Sequence, residues 1–234
     1  TARQARELGA EALVVPTDVS DQAQVEDMVR QTLERYSTID ILVNNAAITG
    51  PIAPLWEDDV ALWIQTIHVN LIGTYLCCRA VLPAMLGQDR GKIINVTSGA
   101  QARGDYYRLA RHVAAYVTSK AAIVRLTEVL SHQLTGKNIK VHVMSPIGQT
   151  RIVEEMRDRA KEISDTGLLE LLRLASAAPI DRSAELAVFL ASEASGNLSG
   201  RMISALADDL PNLPSRIPDI MASDAYTLRR VELE

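Results

Sequence analysis

A tyrosine and a lysine four residues apart are the residues of this sequence best suited to moving a proton. They are Tyr116 and Lys120 in the segment Tyr116-Val117-Thr118-Ser119-Lys120, and in a helix that spacing places both on one face. A free tyrosine has a pKa of about 10, and a neighbouring ammonium group lowers this pKa by favouring the phenolate. The pair could therefore exchange a proton with an alcohol or carbonyl oxygen. Because the spacing also arises by chance, an exposed amphipathic pair is the alternative that the motif alone leaves open.

Two further polar residues could complete such a site. Ser98 follows the apolar segment 92–96, and its hydroxyl could hydrogen-bond a substrate oxygen. Asn70 lies within the helical stretch 57–86, which we expect to be broken near this residue. At such a break its side chain or its freed backbone carbonyl could hold a water molecule.

Short apolar segments alternate with helical patterns along most of the chain. Because parallel strands need a crossover between them, this rhythm predicts an α/β fold with a doubly wound, Rossmann-like parallel sheet in three layers. Polar residues follow the strands, at the edge where open parallel sheets bind ligands. The predicted strands are 12–16, 39–43, 92–96, 139–144 and 202–205, and the polar clusters after the first four contain Asp18, Asn44, Ser98 and Pro146, respectively.

The composition of the chain argues against nucleic-acid-binding, membrane-spanning, disulfide-rich and metal-binding proteins. The chain has 234 residues, a net charge of -5 and 47% hydrophobic residues, so it is expected to fold around a large core and not to bind nucleic acid. No apolar run approaches the roughly 18 residues of a membrane-spanning helix, so no membrane partner is expected. The two cysteines, Cys77 and Cys78, are adjacent and cannot form a disulfide framework, which favours a cytoplasmic location. The four histidines show no metal-ligand spacing, so no metal is expected.

A single domain is expected over 1–234, with two segments outside the regular pattern. Residues 148–179 are rich in charge and interrupt the alternation of strands and helices, so we expect an excursion over the site. The tail 208–234 contains three prolines and is expected to be irregular. The first eight residues have the pattern of a helix end, from which we expect the native start to lie upstream.

The ordered set of these motifs resembles the short-chain dehydrogenase/reductase family, and the resemblance runs from Thr1 to about Ala205. Each motif is weak alone, but their order along the chain is specific. The matching pieces are Asp18-Val19, Asn44-Asn45-Ala46-Ala47, Val69-Asn70-Leu71, Ile94-Asn95-Val96-Thr97-Ser98, Tyr116 to Lys120, Ser145-Pro146 and Leu198-Ser199-Gly200-Arg201.

The resemblance implies a role for each matching residue. Tyr116 would be the general acid and base, and Lys120 would lower its pKa and hold the nicotinamide ribose. Ser98 would orient the reacting oxygen, and Asn70 would complete a water-linked proton relay to Lys120. The coenzyme, NAD or NADP, would contact Asp18 and Val19, Asn44 to Ala47 (Ala46 included), Tyr116 and Lys120, and Pro146, Ile147 and Thr150.

Several features depart from the family pattern. No glycine-rich phosphate-binding turn occurs, because the glycine pairs 87/91 and 196/200 precede strands instead of following them. Ala47 and Ile147 stand where the family usually has glycine, and Thr150 comes one position early. Ser98 and Tyr116 are 18 residues apart, a spacing that predicts an extra loop around 104–111. The loop residues that either face substrate or lie in solvent are Arg103, Tyr106, Tyr107, Arg108 and Arg111.

The family's first strand, phosphate-binding turn, first helix and second strand have no counterpart in this sequence. In their absence the strand at 12–16 would pair directly with the strand at 39–43, or the chain would be poorly stable. Either way we expect apolar edges of the sheet to be exposed.

The resemblance therefore implies an NAD(P)-dependent oxidoreductase that interconverts a small-molecule secondary alcohol and a ketone. A non-catalytic nucleotide-binding or assembly protein, or an inactive fragment, is the alternative that the missing turn favours. A nucleotide-sugar epimerase or dehydratase shares the Tyr-Lys chemistry, but such enzymes usually have a larger substrate domain than this chain can provide. A serine hydrolase is disfavoured because the sequence contains no GxSxG motif. Family members often associate through the helix at 113–134, so a homodimer or homotetramer is expected.

Overall fold

A computed structural model describes residues 1–98, 110–176 and 179–228. The strands are β1 (Ile41–Asn44), β2 (Gly91–Val96), β3 (Ile139–Ser145) and β4 (Arg201–Ser204). The helices are α1 (Ala2–Glu7), α2 (Gln22–Tyr36), α3 (Val60–Ile67), α4 (Gly73–Gly87), α5 (Ala114–Gln133), α6 (Arg151–Glu162), α7 (Thr166–Ala175), α8 (Asp181–Ala191) and α9 (Leu213–Met221).

The four strands form one parallel sheet in the order β1-β2-β3-β4. Parallel pairing fits their composition, because β2 and β3 are apolar almost throughout and are covered on both faces. In register, Asn44 pairs with Asn95 and Ser145 with Ser204, so the carboxyl ends of the strands meet at one edge. The predicted doubly wound α/β fold is confirmed.

Alternate residues of each strand serve two separate cores. Ile93 and Val141 pack toward α2, α4 and α5, against residues such as Val81 and Met85. Ile94 packs toward α8 and α9 on the opposite face. This period of two fixes which side chains of a strand can reach the helices above or below the sheet.

The long helical stretch before β2 is continuous rather than broken. A π-helical turn, His68–Ile72, joins α3 to α4 and contains Asn70, and π-helical turns of this kind are frequent at functional sites. The stretch from 60 to 87 is the one described helix apolar enough to cross a membrane, with a mean hydropathy of 1.5 in its best window, which corrects the expectation that no such run exists. Of that window, 44% is buried inside the protein.

The segment at 12–16 is not a strand, so the prediction of a strand there is wrong, and its direct pairing with the strand at 39–43 does not occur. The alternative to that pairing, poor stability of the chain, stays a prediction. The segment runs without regular secondary structure from the end of α1 toward α2, and no described residue pairs with the free side of β1. The short segment has no neighbouring strand to complete its backbone hydrogen bonds, and an isolated strand is not stable. The expected exposure does occur: Ile41 is 45% and Val43 48% exposed, on the face of β1 opposite α4.

The tail is more regular than its prolines suggest. Helix α9 begins with Pro214 in its first turn, where a missing N–H costs nothing, and buries Leu213, Ile217 and Ile220 against α8. The prediction of an irregular tail from 208 is therefore wrong for this part. The predicted loop residues Arg103, Tyr106, Tyr107 and Arg108 lie outside the described residues.

Candidate functional site

A cavity of about 1080 Å³ opens at the carboxyl ends of the strands. Most of the residues predicted from the sequence line it, although they come from distant parts of the chain. They are Asp18, Val19, Ala46, Ala47, Ser98, Tyr116, Lys120, Pro146, Ile147 and Thr150.

Helix α5 carries Tyr116 and Lys120 along one wall of this cavity. The helix begins at Ala114, and the spacing of four residues puts both side chains on the same face, as predicted. Lys120 is only 2% exposed. Its Nζ donates a hydrogen bond of 2.9 Å to the carbonyl of Val96, at the end of β2, and lies 5.6 Å from the centre of the Tyr116 ring. The lysine thus ties the helix to the sheet beside the tyrosine.

Burial moves the two pKa values in opposite directions. It raises the pKa of Tyr116 to about 12, because the phenolate would be poorly solvated. It lowers the pKa of Lys120 to about 8, because the ammonium group is poorly solvated as well. The net lowering of the Tyr116 pKa that was expected from Lys120 is therefore not found in this structure. At neutral pH both groups hold their protons, so the tyrosine is set to donate one.

Asn70 lies beneath the cavity wall and is fully buried. Its Oδ1 accepts a hydrogen bond from the backbone N–H of Ile48 at 2.9 Å, and its Nδ2 donates to the carbonyl of Ile48 at 3.0 Å. Nδ2 also lies 3.1 Å from Oγ of Ser119, the neighbour of Lys120 on α5. The carbonyl of Asn70 accepts a hydrogen bond from Thr74. The side chain therefore fastens the loop after β1 to α5.

Asn44 is placed differently from the prediction and does not line the cavity. It lies on the same face of β1 as Leu42, and its Nδ2 donates to Oδ1 of Asn95 at 2.8 Å. Asn95 in turn donates to Thr127 of α5 at 2.8 Å. The next residue, Asn45, lines the cavity instead, as the alternation of side chains along a strand requires.

The loop before α2 forms the far wall of the cavity. Asp18 is exposed and accepts hydrogen bonds from the hydroxyl and the N–H of Ser20, which hold the pKa of its carboxyl below the usual value. Val19 packs against the start of α4 at Gly73, where an added Cβ would come within 2.7 Å of the Val19 side chain. A glycine at 73 therefore lets this wall approach the helix.

The residues after β3 are held by hydrogen bonds within the protein. Ile147 N–H donates to the hydroxyl of Ser183 at 2.8 Å, and that hydroxyl donates to the Ile147 carbonyl at 2.7 Å. Thr150 caps α6, since its Oγ1 accepts from Val153 N–H at 3.4 Å. Both residues line the cavity, with backbones fixed by α8 and α6.

The helices α6 and α7 form a hairpin that covers the cavity beyond Tyr116. Met156, Leu168 and Leu172 are buried in a cluster with Val113, which immediately precedes α5. This hairpin lies within the segment 148–179, for which an excursion over the site is predicted, but its lining residues were not predicted individually. The helical spacing of Leu168, Leu171, Leu172 and Ala175 is the signal that could have identified them.

The chain near 228 forms another part of the lining that the sequence did not indicate. Tyr226, Thr227 and Leu228 all line the cavity. Leu228 N–H donates to Oε1 of Glu128 at 2.6 Å, and its carbonyl accepts from Arg125 at 2.7 Å. Because these partners lie about a hundred residues earlier, on α5, no local pattern predicts the contact.

The residues present fit the nicotinamide end of a dinucleotide better than its phosphate end. In the described chain the buried ammonium of Lys120 donates one hydrogen bond, to Val96, which leaves donors for hydroxyl groups. No glycine-rich turn follows a strand anywhere in the sequence. Within the described residues no group of three or more His, Cys, Asp or Glu side chains could hold a metal ion.

Comparisons with known proteins agree with the fold and the motif order. A family model described as short chain dehydrogenase matches residues 1–161. The chain is 30% identical over 189 residues to a 3-oxoacyl-[acyl-carrier-protein] reductase of Thermotoga maritima, covering 80% of this chain and 72% of that protein. It is 34% identical over 184 residues to D-threitol dehydrogenase of Mycolicibacterium smegmatis, covering 78% of this chain and 67% of that protein.

Solved structures of dehydrogenases and ketoreductases have a fold similar to that of this chain. An NAD+-bound xylitol dehydrogenase matches with a TM-score of 0.75 and 25% identity, over 87% of this chain and 81% of that one. An actinorhodin polyketide ketoreductase variant with NADPH matches with a TM-score of 0.77 and 26% identity, over 86% of this chain and 79% of that one.

Proposed function

Since the chain belongs to the short-chain dehydrogenase/reductase family, we propose that it interconverts a secondary alcohol and a ketone with Tyr116 as the general acid and base. Family membership makes it an NAD(P)-dependent oxidoreductase; the reaction and the residue roles are the proposal. The observation that carries it is the placement of Tyr116, Lys120 and Ser98 on one cavity at the carboxyl ends of the strands. These are the groups needed to hold a carbonyl oxygen and give it a proton.

When bound, the nicotinamide coenzyme supplies or accepts the hydride. Lys120 and Tyr116 would hold its ribose, while Ala46, Ala47 and Pro146 would line its path along the strand ends. The wall formed by Asp18 and Val19 would border the adenine. NAD and NADP are both compatible with these residues, and the structures similar to this chain include one with each.

Tyr116 carries the proton in this proposal. During ketone reduction its hydroxyl would donate to the carbonyl oxygen, and during alcohol oxidation the phenolate would take the proton back. Because burial raises the pKa of Tyr116 to about 12, the tyrosine is protonated at neutral pH, which suits reduction. The neighbouring ammonium of Lys120 would stabilise the phenolate left behind.

Ser98 and Asn70 support the proton transfer without making it. Ser98, two residues after β2, would hydrogen-bond the reacting oxygen and so orient the carbonyl. Asn70 would keep the wall at Ala46 and Ala47 in place through its two hydrogen bonds to Ile48. This positioning role differs from the water-linked relay that the resemblance implies.

Coenzyme-linked turnover of a small panel of ketones tests the proposal. The panel contains a 3-oxoacyl thioester, a sugar ketone and a medium-chain methyl ketone, each with NADH and with NADPH. Tyr116→Phe should lower kcat by at least about a hundredfold, the size of effect expected for a general acid. Tyr36→Phe, at the exposed end of α2, is the matched control and should turn over normally. Normal turnover by Tyr116→Phe would refute the assigned role.

A non-catalytic nucleotide-binding or assembly protein is the second candidate. The absence of a glycine-rich turn favours it, because that turn is what holds a pyrophosphate at a helix N-terminus. In this case no ketone of a wider panel would be reduced with either coenzyme.

Association into a homodimer or homotetramer is part of the proposal. Large apolar side chains are exposed to solvent along the helical stretch 60–87, at Val60 and Ile64 of α3, at Ile72 of the π-helical turn and at Tyr75 of α4. An exposed apolar stripe of this kind is typical of a surface that another chain covers. A cytoplasmic location and a small-molecule substrate complete the proposed setting.

A further inference from the structure

A buried aspartate anchors the start of α7. Asp165 caps the helix, since its Oδ1 accepts from Leu168 N–H at 3.1 Å. Its side chain is fully buried, and its Oδ2 lies 2.5 Å from Nδ1 of His112. Arg111 is the other charged group near it in the described chain, with Nη2 at 3.8 Å from Oδ1, and that arginine side chain is largely exposed. The imidazole is therefore the close partner of this carboxylate.

His112 stands directly ahead of the helix that carries the proposed general acid. It lies two residues before α5 and four before Tyr116. Its carbonyl accepts a hydrogen bond from Ala53 N–H at 3.0 Å, which fixes its backbone to the loop before α3. The contact with Asp165 thus joins the hairpin α6–α7 to the rigid part of the site.

The contact between His112 and Asp165 is the polar counterpart of the apolar packing of Met156, Leu168 and Leu172 against Val113. A carboxylate buried without its partner is strongly unfavourable, so loss of the imidazole would draw Asp165 toward water. The start of α7 would move with it, because Asp165 is the N-cap of that helix. Leu168 and Leu172, which line the cavity, lie on the first two turns of the same helix.

We infer that His112 and Asp165 form a latch that holds α7 over the substrate end of the cavity, which makes His112 a positioning residue for substrate binding. This inference rests on the proposed function, since it takes the space between Tyr116 and α7 as the substrate site. It predicts that the contact governs the affinity for substrate and leaves the proton-transfer groups and the coenzyme end unchanged.

Hydrogen exchange tests the latch without any need for turnover. In His112→Leu the amides of residues 165–172 should exchange at least about tenfold faster than in the wild type, while those of β2 and β3 keep their rates. His112→Asn should restore slow exchange, because its Nδ2 can take the place of the imidazole Nδ1 as donor. His132→Leu, at the exposed far end of α5, is the control. Unchanged exchange of residues 165–172 in His112→Leu would overturn the latch.

Kinetics then separate positioning from a general structural defect. With the ketone of the panel that is reduced fastest, His112→Leu should raise the KM for that ketone at least about tenfold, with kcat and the coenzyme KM within about twofold of the wild type. His112→Asn should recover most of the ketone KM. Equal losses in kcat and both KM values, or no change in any of them, would contradict the inference.

A second variant and the order of the experiments separate failure of the latch from failure of folding or of the proposed function. If His112→Leu does not fold, His112→Ser removes the imidazole without placing an apolar side chain beside the carboxylate, and the same predictions apply to it. If the wild type reduces no ketone, the proposed function fails while the exchange experiment still decides whether the latch exists.

Discussion

Asn70 pairs with both backbone polar groups of Ile48, at 2.9 and 3.0 Å, in the manner of a neighbouring strand. The residue is presented by a π-helical turn, which pushes its side chain out of the regular helix and toward the loop after β1. A third hydrogen bond, to Ser119, reaches the helix of Tyr116 and Lys120. One side chain therefore connects three elements that form the cavity.

Removing the Asn70 side chain should lower the free energy of unfolding of the protein. Asn70→Ala leaves the N–H and the carbonyl of Ile48 without their partner, and each unsatisfied group costs about 1–3 kcal/mol. We expect the free energy of unfolding to fall by about 2–4 kcal/mol in urea titrations. Asn138→Ala, at an exposed position before β3, should change it by less than about 0.5 kcal/mol. A loss as small as that in Asn70→Ala would show that the three hydrogen bonds contribute little.

The ammonium group of Lys120 should make coenzyme affinity depend on pH. Burial lowers the pKa of Lys120 to about 8, so the positive charge is present at neutral pH and is lost as the pH rises through that value. The dissociation constant for the coenzyme should therefore increase about tenfold between about pH 7 and about pH 9.5, the loss expected for one charge-assisted hydrogen bond. Titration calorimetry at several pH values measures it.

The control for this pH dependence is a pair of lysine substitutions. Lys120→Met should bind weakly at every pH, with no slope across this range. Lys137→Met, at an exposed position after α5, should keep the slope of the wild type. The same slope in Lys120→Met would assign the pH dependence to another group.

His142 should make the protein sensitive to acid. It is fully buried in β3, and in the described chain neither of its ring nitrogens has a hydrogen-bond partner. Burial, with the nearby charges of Lys92 and Lys140, lowers the pKa of His142 to about 3. The unfolded chain takes up a proton near pH 6.5 that the folded protein cannot bind, so stability falls as the pH drops from about 6.5 to about 3.

Replacing this histidine should remove that part of the acid sensitivity. His142→Leu should be at least as stable as the wild type at neutral pH, because an unsatisfied polar ring is lost from the core. At about pH 5 its unfolding free energy should exceed that of the wild type by about 2 kcal/mol more than at neutral pH. Urea titrations at both pH values measure the difference, and His132→Leu should follow the wild type. Parallel pH profiles for His142→Leu and the wild type would contradict this assignment.

The strands and helices that the sequence predicted well are those with strong periodicity. The predicted helix of Tyr116 and the predicted strands around Ile93 and Val141 lie within two residues of the observed bounds. A strand buried on both faces has a nearly continuous apolar run, and a helix against a sheet has apolar residues every three to four positions. The segment at 12–16 has the same apolar pattern as these strands but no neighbour to pair with. Whether a segment forms a strand depends on a neighbouring strand that can pair with it, and the local sequence pattern does not indicate whether that neighbour is present.

The site residues that could be predicted are those whose chemical type and local spacing along the chain both indicate a role. Ser98 follows from its place after a strand, Tyr116 and Lys120 follow from their spacing on one helix face, and all three line the cavity. The pKa of Tyr116 could not be predicted, since it depends on how much protein surrounds the ring. The contact of His112 with Asp165 spans 53 residues, and the one that binds Leu228 to Glu128 spans 100, so only the folded chain brings these groups together.

The proposed function requires the cavity beside Tyr116 and Lys120 to hold a nicotinamide coenzyme. Thermal unfolding of this chain with and without saturating NADH or NADPH tests that requirement most directly. At a concentration about a hundred times the dissociation constant, binding to the folded state adds about 2.7 kcal/mol, which corresponds to a rise of roughly 5–10 °C in the midpoint. The account predicts such a rise with one of the two coenzymes and little or none in Lys120→Met. A cooperative transition whose midpoint moves with neither coenzyme would contradict it.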